Sequence, residues 1–303
     1  MYRTSPSCLF IGEHSVPELM RRHHGWTVIE MIVVMAIIAV LVSVIVVTLA
    51  GAKSMAHTAR CQTNLAQLAQ AAVRYASDEG TWPTAIAWRI PKVGTIQEIS
   101  WDWVTETSGL GQPSQRVRAG SLWNYADRPQ KLYHCPQCAT SDTQNNQQTG
   151  YNYNTTFIGG EMAYAPPHFP YTYRGIRPSQ CQRMSQCAMF GDAGSGGPET
   201  PLNNYMRAPT RNRPEQPHLE GGPHVIGLDL VYTGAQSFRH DNATNVAFLD
   251  GHTESLTVPF RGVYWEQAPS SIQSLLDYPS EGFLSEDDRL YNPNWLPATI
   301  SSP

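Results

Sequence analysis

Met31–Ala50 is a run of twenty residues without a charge. As an α-helix it covers about 30 Å, the hydrocarbon thickness of a bilayer. Only Ser43 and Thr48 are polar, and both hydroxyls can bond back to helix carbonyls. The rest of the chain is of another kind. Of 303 residues, 15% are charged and 41% are apolar or aromatic, which excludes a highly charged disordered chain and a polytopic membrane protein. The formal net charge of −4, from 21 basic and 25 acidic residues, lacks the broad basic footprint of a nucleic-acid binder, and no nucleic-acid partner is expected. Most prolines and glycines lie after Gly80, so an apolar head precedes a turn-rich body.

The apolar run fits a single-pass anchor or a secretory signal. Ala50-Gly51-Ala52 is an A-x-A-like cleavage site. Against removal, the run exceeds the usual h-region and a long segment precedes it. The chain beyond it also continues as a helix. From Ala52 to Ser77 it is rich in Ala, Leu, Gln, Arg and Lys, without Pro or Gly. Leu65, Leu68, Ala72 and Tyr75/Ala76 share one face at spacings of three and four. Asp78-Glu79-Gly80, then Trp82-Pro83, supply a stop. One helix from about Thr27 to Ser77 is therefore expected, about 75 Å long.

Glu30 stands at the entrance of the apolar run. A carboxylate there is costly and marks either a function or a side chain snorkelling to the interface. With its neighbours, Arg21-Arg22-His23-His24-Gly25-Trp26-Thr27-Val28-Ile29-Glu30, it resembles the leader junction of type IV prepilins and type II secretion pseudopilins. The resemblance implies cleavage by a prepilin peptidase between Gly25 and Trp26, with Glu30 fifth in the mature chain and engaged in assembly. Trp26 stands where the family usually has Phe. Basic residues flank both ends of the span (Arg21 and Arg22; Lys53 and Arg60), so the positive-inside rule is weak here. The resemblance puts the leader in the cytoplasm, one span in the bacterial inner membrane and the body in the periplasm or another extracytoplasmic space. Loss of three arginines and two glutamates with residues 1–25 moves the net charge from −4 to −5.

In the body, short apolar-aromatic runs alternate with turn clusters, which predicts a mainly antiparallel sheet with long loops. The clearest hairpin is Asn245–Leu249, a two-residue Asp250-Gly251 turn, and His252–Val258. Residues 194–223 are poor in apolar side chains and read as an exposed insertion, not a strand region.

Several segments carry a second resemblance. They are Arg60-Cys61-Gln62-Thr63-Asn64-Leu65, Leu122-Trp123-Asn124-Tyr125, Tyr133-His134-Cys135-Pro136, Tyr151-Asn152-Tyr153-Asn154 and Phe190-Gly191-Asp192. His240, nine residues, then Asp250-Gly251 complete the pattern. Together they are similar to prepilin-type proteins with a processing-associated H-x9-DG domain, over about Gly25 to Ser255. The tail beyond, with Trp265, Trp295 and Ser285-Glu286-Asp287-Asp288, carries no pattern that places it.

Six cysteines occur, and Cys8 leaves with the leader. Three readings compete for the others. Cys135-Pro136-Gln137-Cys138 has redox spacing, but the polar run after it lacks the helix a reactive thiolate needs. His134, Cys135, Cys138, Cys181 and Cys187 form a zinc candidate, with one pair spaced wider than usual. Structural disulfides among Cys135, Cys138, Cys181 and Cys187 are favoured in an oxidising compartment, with Cys61 left over or tying the helix to the body. His218, His224, Glu215 and Glu220 read as solvated loop residues, and Asp192, Asp241 and Asn242 as weak calcium candidates. No cofactor is required. His240, Asp250 and Gly251 read as structural: His240 packed against the hairpin, Asp250 bonded to local backbone, Gly251 at positive φ. No nucleophile elbow, phosphate loop or H-E-x-x-H helix occurs, so no enzyme is expected.

The expected fold is α+β, a long N-terminal helix, transmembrane in its first half, packed on an antiparallel sheet with long loops. The expected parts are a leader (1–25), a transmembrane helix (26–50), its extramembrane continuation (51–80), a β-rich domain (81–258) and a C-terminal extension (259–303). The expected function is that of a pseudopilin-like subunit, joined to other subunits through transmembrane helices in a type II secretion or pilus-like fibre. The alternative is a membrane-anchored envelope protein whose body binds a ligand such as a glycan, since the chain holds eight tryptophans.

Overall fold

The computed structural model describes residues 25–92, 94–108, 114–127, 133–138, 149–160, 175–194, 203–210, 232, 234–263, 265–268, 270–273, 276 and 278–296. Residues 1–24, Cys8 among them, and Glu215, His218, Glu220 and His224 lie outside them. The fold is α+β: a 52-residue helix, α1 (Val28–Glu79), followed by antiparallel sheets and loops. The chain divides into two compact units at Ala50/Gly51.

In the first unit the described large apolar side chains from Val28 to Leu49 are exposed. Ser43 Oγ donates to Val40 O at 2.7 Å and Thr48 Oγ1 to Ile45 O at 2.9 Å, so the two hydroxyls of the charge-free run are satisfied within the helix. Length and apolarity make α1 a membrane-spanning candidate.

The second unit is built on the rest of α1. Cys61, Leu65, Leu68, Ala69, Ala72 and Ala76 are buried at helical spacing and belong to the core. Gly80, at φ +73°, ends the helix, and its N–H donates to Ala76 O at 3.0 Å.

Among the described residues the strands form three sheets, where a single one is expected. Strands β1 (Ile86–Lys92), β2 (Thr95–Ser100), β3 (Trp103–Ser108) and β4 (Ser114–Ala119) form an antiparallel meander in chain order. The central sheet uses β5 (Tyr151–Asn154), β6 (Ala188–Asp192), β7 (Tyr205–Met206), β9 (Thr244–Phe248) and β10 (Thr253–Leu256), ordered β10-β9-β6-β5-β7. All its pairs are antiparallel except β5 with β7. A short pair joins β8 (Gln236–Ser237) to β11 (Glu281–Gly282).

Strands β5, β6 and β9 are buried at every position, because the central sheet is covered on both faces. Successive side chains of a strand point to opposite faces. Tyr151 and Tyr153 meet the helix side, where Tyr151 Oη accepts from Asn64 Nδ2 at 3.1 Å and the Tyr153 ring lies 4.9 Å from Phe190. Asn152 and Asn154 face the other way. Asn154 Nδ2 donates to Ala188 O and Tyr291 O, each at 2.8 Å. At Gly191, opposite Asn152, a Cβ would lie 2.5 Å from Gln236 Oε1, so a larger residue there would have to displace the end of that side chain.

The tail that the sequence leaves unplaced supplies this second cover: Phe283, Leu284 and Tyr291 are core residues. The insertion expected at 194–223 is likewise not wholly exposed. Asn204, Met206, Arg207 and Ala208 are buried, and Tyr205–Met206 is a strand. Short range explains the difference: two paired residues surrounded by Pro, Asn and Arg leave no periodicity to read.

The meander is tied to the core at Trp101, which is fully buried with its ring 5.1 Å from Phe190 and its Nε1 donating to Asn204 O at 2.7 Å. Beside it, burial pushes the Asp102 carboxyl up to about 8, although Asn204 Nδ2 donates to Oδ1 at 2.7 Å. Asp102 Oδ2 has no hydrogen-bond partner among the described residues. A carboxyl raised in the folded state is protonated there while the unfolded chain, near 3.8, is already ionised. Its contribution to stability is therefore full below about pH 4 and is lost as pH rises towards 8. Asp102→Asn cannot ionise, so the full chain's urea midpoint should gain on wild type steadily between pH 4 and 8; a constant difference across that range would refute a protonated Asp102.

Candidate functional site

Four ligand-type side chains from distant parts of the second unit converge. Cys61 comes from the buried stripe of α1, Cys135 from the loop after Tyr133, Asp192 from the end of β6 and His240 from the turn before β9. Their donor atoms all lie within 4.8 Å of one another and all four residues are buried. Cys61 Sγ is 3.0 Å from Cys135 Sγ. His240 Nε2 lies 3.6 Å from Cys135 Sγ and 3.4 Å from Asp192 Oδ2.

Local chemistry aims each group. His240-Asp241-Asn242-Ala243 closes on itself, with reciprocal backbone bonds between His240 and Ala243, each 3.0 Å. Asp241 and Asn242 take φ of 52° and 61°, the two positive φ values of a type I′ turn, which Asp and Asn tolerate best. Ser54 Oγ donates to Asp241 Oδ2 at 3.1 Å, and His240 Nδ1 sits 3.4 Å from Thr58 Oγ1. Asp192 Oδ2 accepts from the Asn245 backbone N–H at 2.7 Å, and Oδ1 accepts from Arg239 Nη2 at 3.3 Å. A relay also reaches back to α1: Gln62 Nε2 donates to Ser255 Oγ, whose hydroxyl donates to Asn245 Oδ1.

The field is strongly polarised. The Cys61 thiol donates to Cys135 and holds it well below the usual thiol range, helped by His240 and Arg239 against the effect of burial. The same bond, with burial, pushes Cys61 far up. Burial pulls His240 down, but Asp192 and Cys135 outweigh it and leave the imidazole at about 9. Burial raises Cys138 to about 11.

This is not the geometry of a thiol nucleophile. A base needs one ring nitrogen on the thiol and the other on the orienting carboxylate. Here Nε2 meets both and Nδ1 faces Thr58. The cluster is also closed to solvent, which suits a structural or metal-holding role.

The expected sulfur partners fall elsewhere. Among the described residues Cys61, Cys135, Cys138, Cys181 and Cys187 stand unbridged, and a pairing among Cys135, Cys138, Cys181 and Cys187 remains an expectation. Cys187 is buried with its Sγ donating to Tyr291 O at 3.0 Å, and the half-buried Cys181 Sγ lies 3.8 Å from Arg177 O. Cys135 and Cys138 form a tight turn against Gly150, where a Cβ would meet both side chains at 3.0–3.1 Å. The zinc set with His134, Cys181 and Cys187 does not gather; Cys61 and His240 take their place around Cys135. Two signals pointed there. Cys61 lies four residues before Leu65 on the buried stripe, and each of the four residues lies in a segment that carries the resemblance. Of the calcium candidates, Asp192 turns to Arg239 and Asn245, and Asp241 to Ser54.

The Asp250-Gly251 turn differs in length from the two-residue form. Phe248 pairs with His252, so Leu249, Asp250 and Gly251 make a three-residue loop with Gly251 at φ +91°. Asp250 Oδ1 accepts from the His252 backbone N–H at 3.2 Å.

At the N-terminus of α1, Thr27 and Glu30 form a capping box. Thr27 N–H donates to Glu30 Oε2 at 2.7 Å, and Glu30 N–H donates to Thr27 Oγ1 at 3.3 Å. The T-x-x-E spacing of Thr27 and Glu30 is the sequence signature of this cap. Gly25 and Trp26 precede it, exposed. Residues 20–46 match the prokaryotic N-terminal methylation motif. That supports a prepilin-type protein. No curated protein and no solved structure matches the chain. Proteins of the prepilin-type class are structural subunits.

A Cβ at Gly251 would meet nothing within 4 Å, so only backbone strain opposes substitution. Gly251→Ala should cost about 1 kcal/mol in urea unfolding, and Gly251→Asn less, because Asn enters the left-handed region more readily. Equal stability for all three chains would show that the turn tolerates any residue.

Proposed function

We propose that this prepilin-type chain is a pseudopilin-like subunit. It is cut after Gly25 by a prepilin peptidase, held in the bacterial inner membrane by the apolar part of α1, and assembled through that helix with related subunits into a type II secretion or pilus-like fibre. The body lies on the extracytoplasmic side and acts by shape, not by catalysis. The observation that carries this reading is the motif match at residues 20–46, which spans the leader junction, Glu30 and the start of the charge-free run. A second supports it. The described large apolar side chains between Val28 and Leu49 are exposed and call for lipid or neighbouring helices.

The glycan-binding alternative has less support. Trp82 and Trp101 are core residues, and the tryptophans of the body with described side chains are buried or half-buried, without an exposed indole platform.

Processing is tested by intact mass of the native membrane protein. The expected chain begins at Trp26, and a chain beginning at Lys53 would leave a soluble secreted body and end the fibre reading.

The capping box separates two roles for Glu30. As a charge it would pair with the terminal amine of a neighbouring subunit, whereas as a cap it serves its own helix. Glu30→Gln keeps an acceptor for Thr27 and removes the charge; Glu30→Ala removes both. Crosslinking between transmembrane helices should fall in both variants while cleavage and membrane insertion persist. Normal crosslinking in Glu30→Gln with loss in Glu30→Ala would assign Glu30 to the cap alone.

A further inference from the structure

We propose that Cys61, Cys135, His240 and Asp192 form a buried structural zinc site that clamps the second half of α1 to the central sheet.

A tetrahedral zinc ion with bonds of about 2.3 Å to sulfur and about 2.0–2.1 Å to nitrogen and oxygen sets the edges of its ligand tetrahedron. Those edges are about 3.8 Å between two sulfurs, about 3.6 Å between sulfur and nitrogen, and about 3.3 Å between nitrogen and oxygen. Cys135 Sγ to His240 Nε2 is 3.6 Å and His240 Nε2 to Asp192 Oδ2 is 3.4 Å. Two edges are therefore already at zinc spacing. The sulfur pair, at 3.0 Å, must open by a few tenths of an ångström on each side.

The surrounding bonds point the donors inward. Thr58 Oγ1 donates to Ser54 O at 3.2 Å, which leaves its lone pairs for a proton on His240 Nδ1. A metal would displace the Nε2 proton that the imidazole otherwise keeps beside Asp192, and with Nδ1–H held by Thr58 the freed Nε2 lone pair would face the cluster, the arrangement seen when the far nitrogen of a metal-bound imidazole is anchored. Asp192 is held by Asn245 through the backbone N–H at 2.7 Å and Nδ2 at 3.2 Å, and by Arg239. Both Asn245 bonds fall on Oδ2, the oxygen that faces His240, so a metal there would take the place of the longer one, from Nδ2, while Arg239 stays on Oδ1.

Charge balances as well. Two thiolates and one carboxylate give three negative charges, met by the two of zinc and the one of Arg239, whose Nη2 lies 3.3 Å from Asp192 Oδ1. A buried cluster with no net charge avoids most of the desolvation penalty that isolated buried ions incur. A Cys61–Cys135 disulfide is the competing state. It would use the two sulfurs and leave the convergence of His240 and Asp192 without purpose.

The test uses the full chain purified in mild detergent. Elemental analysis should find about one zinc per chain, retained through gel filtration. Exchange into cobalt(II) should give the visible bands of tetrahedral cobalt with near-ultraviolet thiolate charge transfer. Cys61→Ser should roughly halve that charge transfer, one of two thiolates being lost, and Cys187→Ser should leave it unchanged. His240→Ala can fail to fold, so His240→Cys, which keeps a donor, serves beside it and should retain the metal with a stronger charge-transfer band. Chelation should lower the melting temperature of wild type and leave Cys61→Ser/Cys135→Ser unaffected. Iodoacetamide labelling of denatured, unreduced protein decides the rest. A peptide joining Cys61 to Cys135 would overturn the proposal in favour of a disulfide, and free thiols with no bound metal would overturn it outright.

Discussion

The buried stripe of α1 from Cys61 to Ala76 is where the core of the body begins. Leu65, Leu68 and Ala72 are apolar, as any helix packed on a sheet requires. Cys61 and Asn64 add something else, a thiol and an amide pointing into the same interior. Asn64 reaches Tyr151 on β5 and Cys61 reaches Cys135, while Gln62, nearer the surface, reaches Ser255 on β10. Apolar area brings helix and sheet together without direction. These polar contacts fix which strand meets which turn of the helix, since a one-turn slip would leave several buried polar groups unpaired.

The polar cluster is tolerable because its charges are paired, although Arg239 Nε has no hydrogen-bond partner among the described residues. Arg239, Asp192, His240 and two cysteines form a buried group in which donors meet acceptors and positive charge meets negative. Such groups add little net stability but are severe towards partial assembly, because one missing member leaves the others unpaired in a low-dielectric interior. The I′ turn at Asp241-Asn242, docked by Ser54, delivers both Arg239 and His240 into this group.

Much of the helix was legible in the sequence. The charge-free run, the stripe at spacings of three and four, and the Gly80 stop describe α1 to within a residue or two at either end. A left-handed glycine after Asp250 was legible too, whereas the loop length was not, since two- and three-residue hairpin loops share the Asp-Gly signal. The sheets were harder. Tyr-Asn-Tyr-Asn alternates like a half-exposed strand, yet both asparagines are buried, Asn154 with its amide donating to Ala188 O and Tyr291 O and Asn152 with its Nδ2 3.5 Å from Ala235 O. The tail had no periodicity to read, because it covers a sheet with short turns and single anchors such as Tyr291. The metal-type cluster draws one residue from each of four segments, and no spacing within one segment could reveal it. The capping box was visible but overshadowed by the charge of Glu30.

Asn154 carries a consequence for the order of events. Its amide is satisfied by Tyr291 O, 137 residues later in the chain. The Cys187 thiol, on the neighbouring strand, donates to the same carbonyl. A chain that emerges N-terminus first thus offers its helix and the first strands of its central sheet long before the carbonyl that both require exists. Until then β5 and β6 have an uncovered face with unpaired polar groups on it, and closing the core early would bury them at a loss. The body is therefore biased to stay open until nearly all of it has arrived.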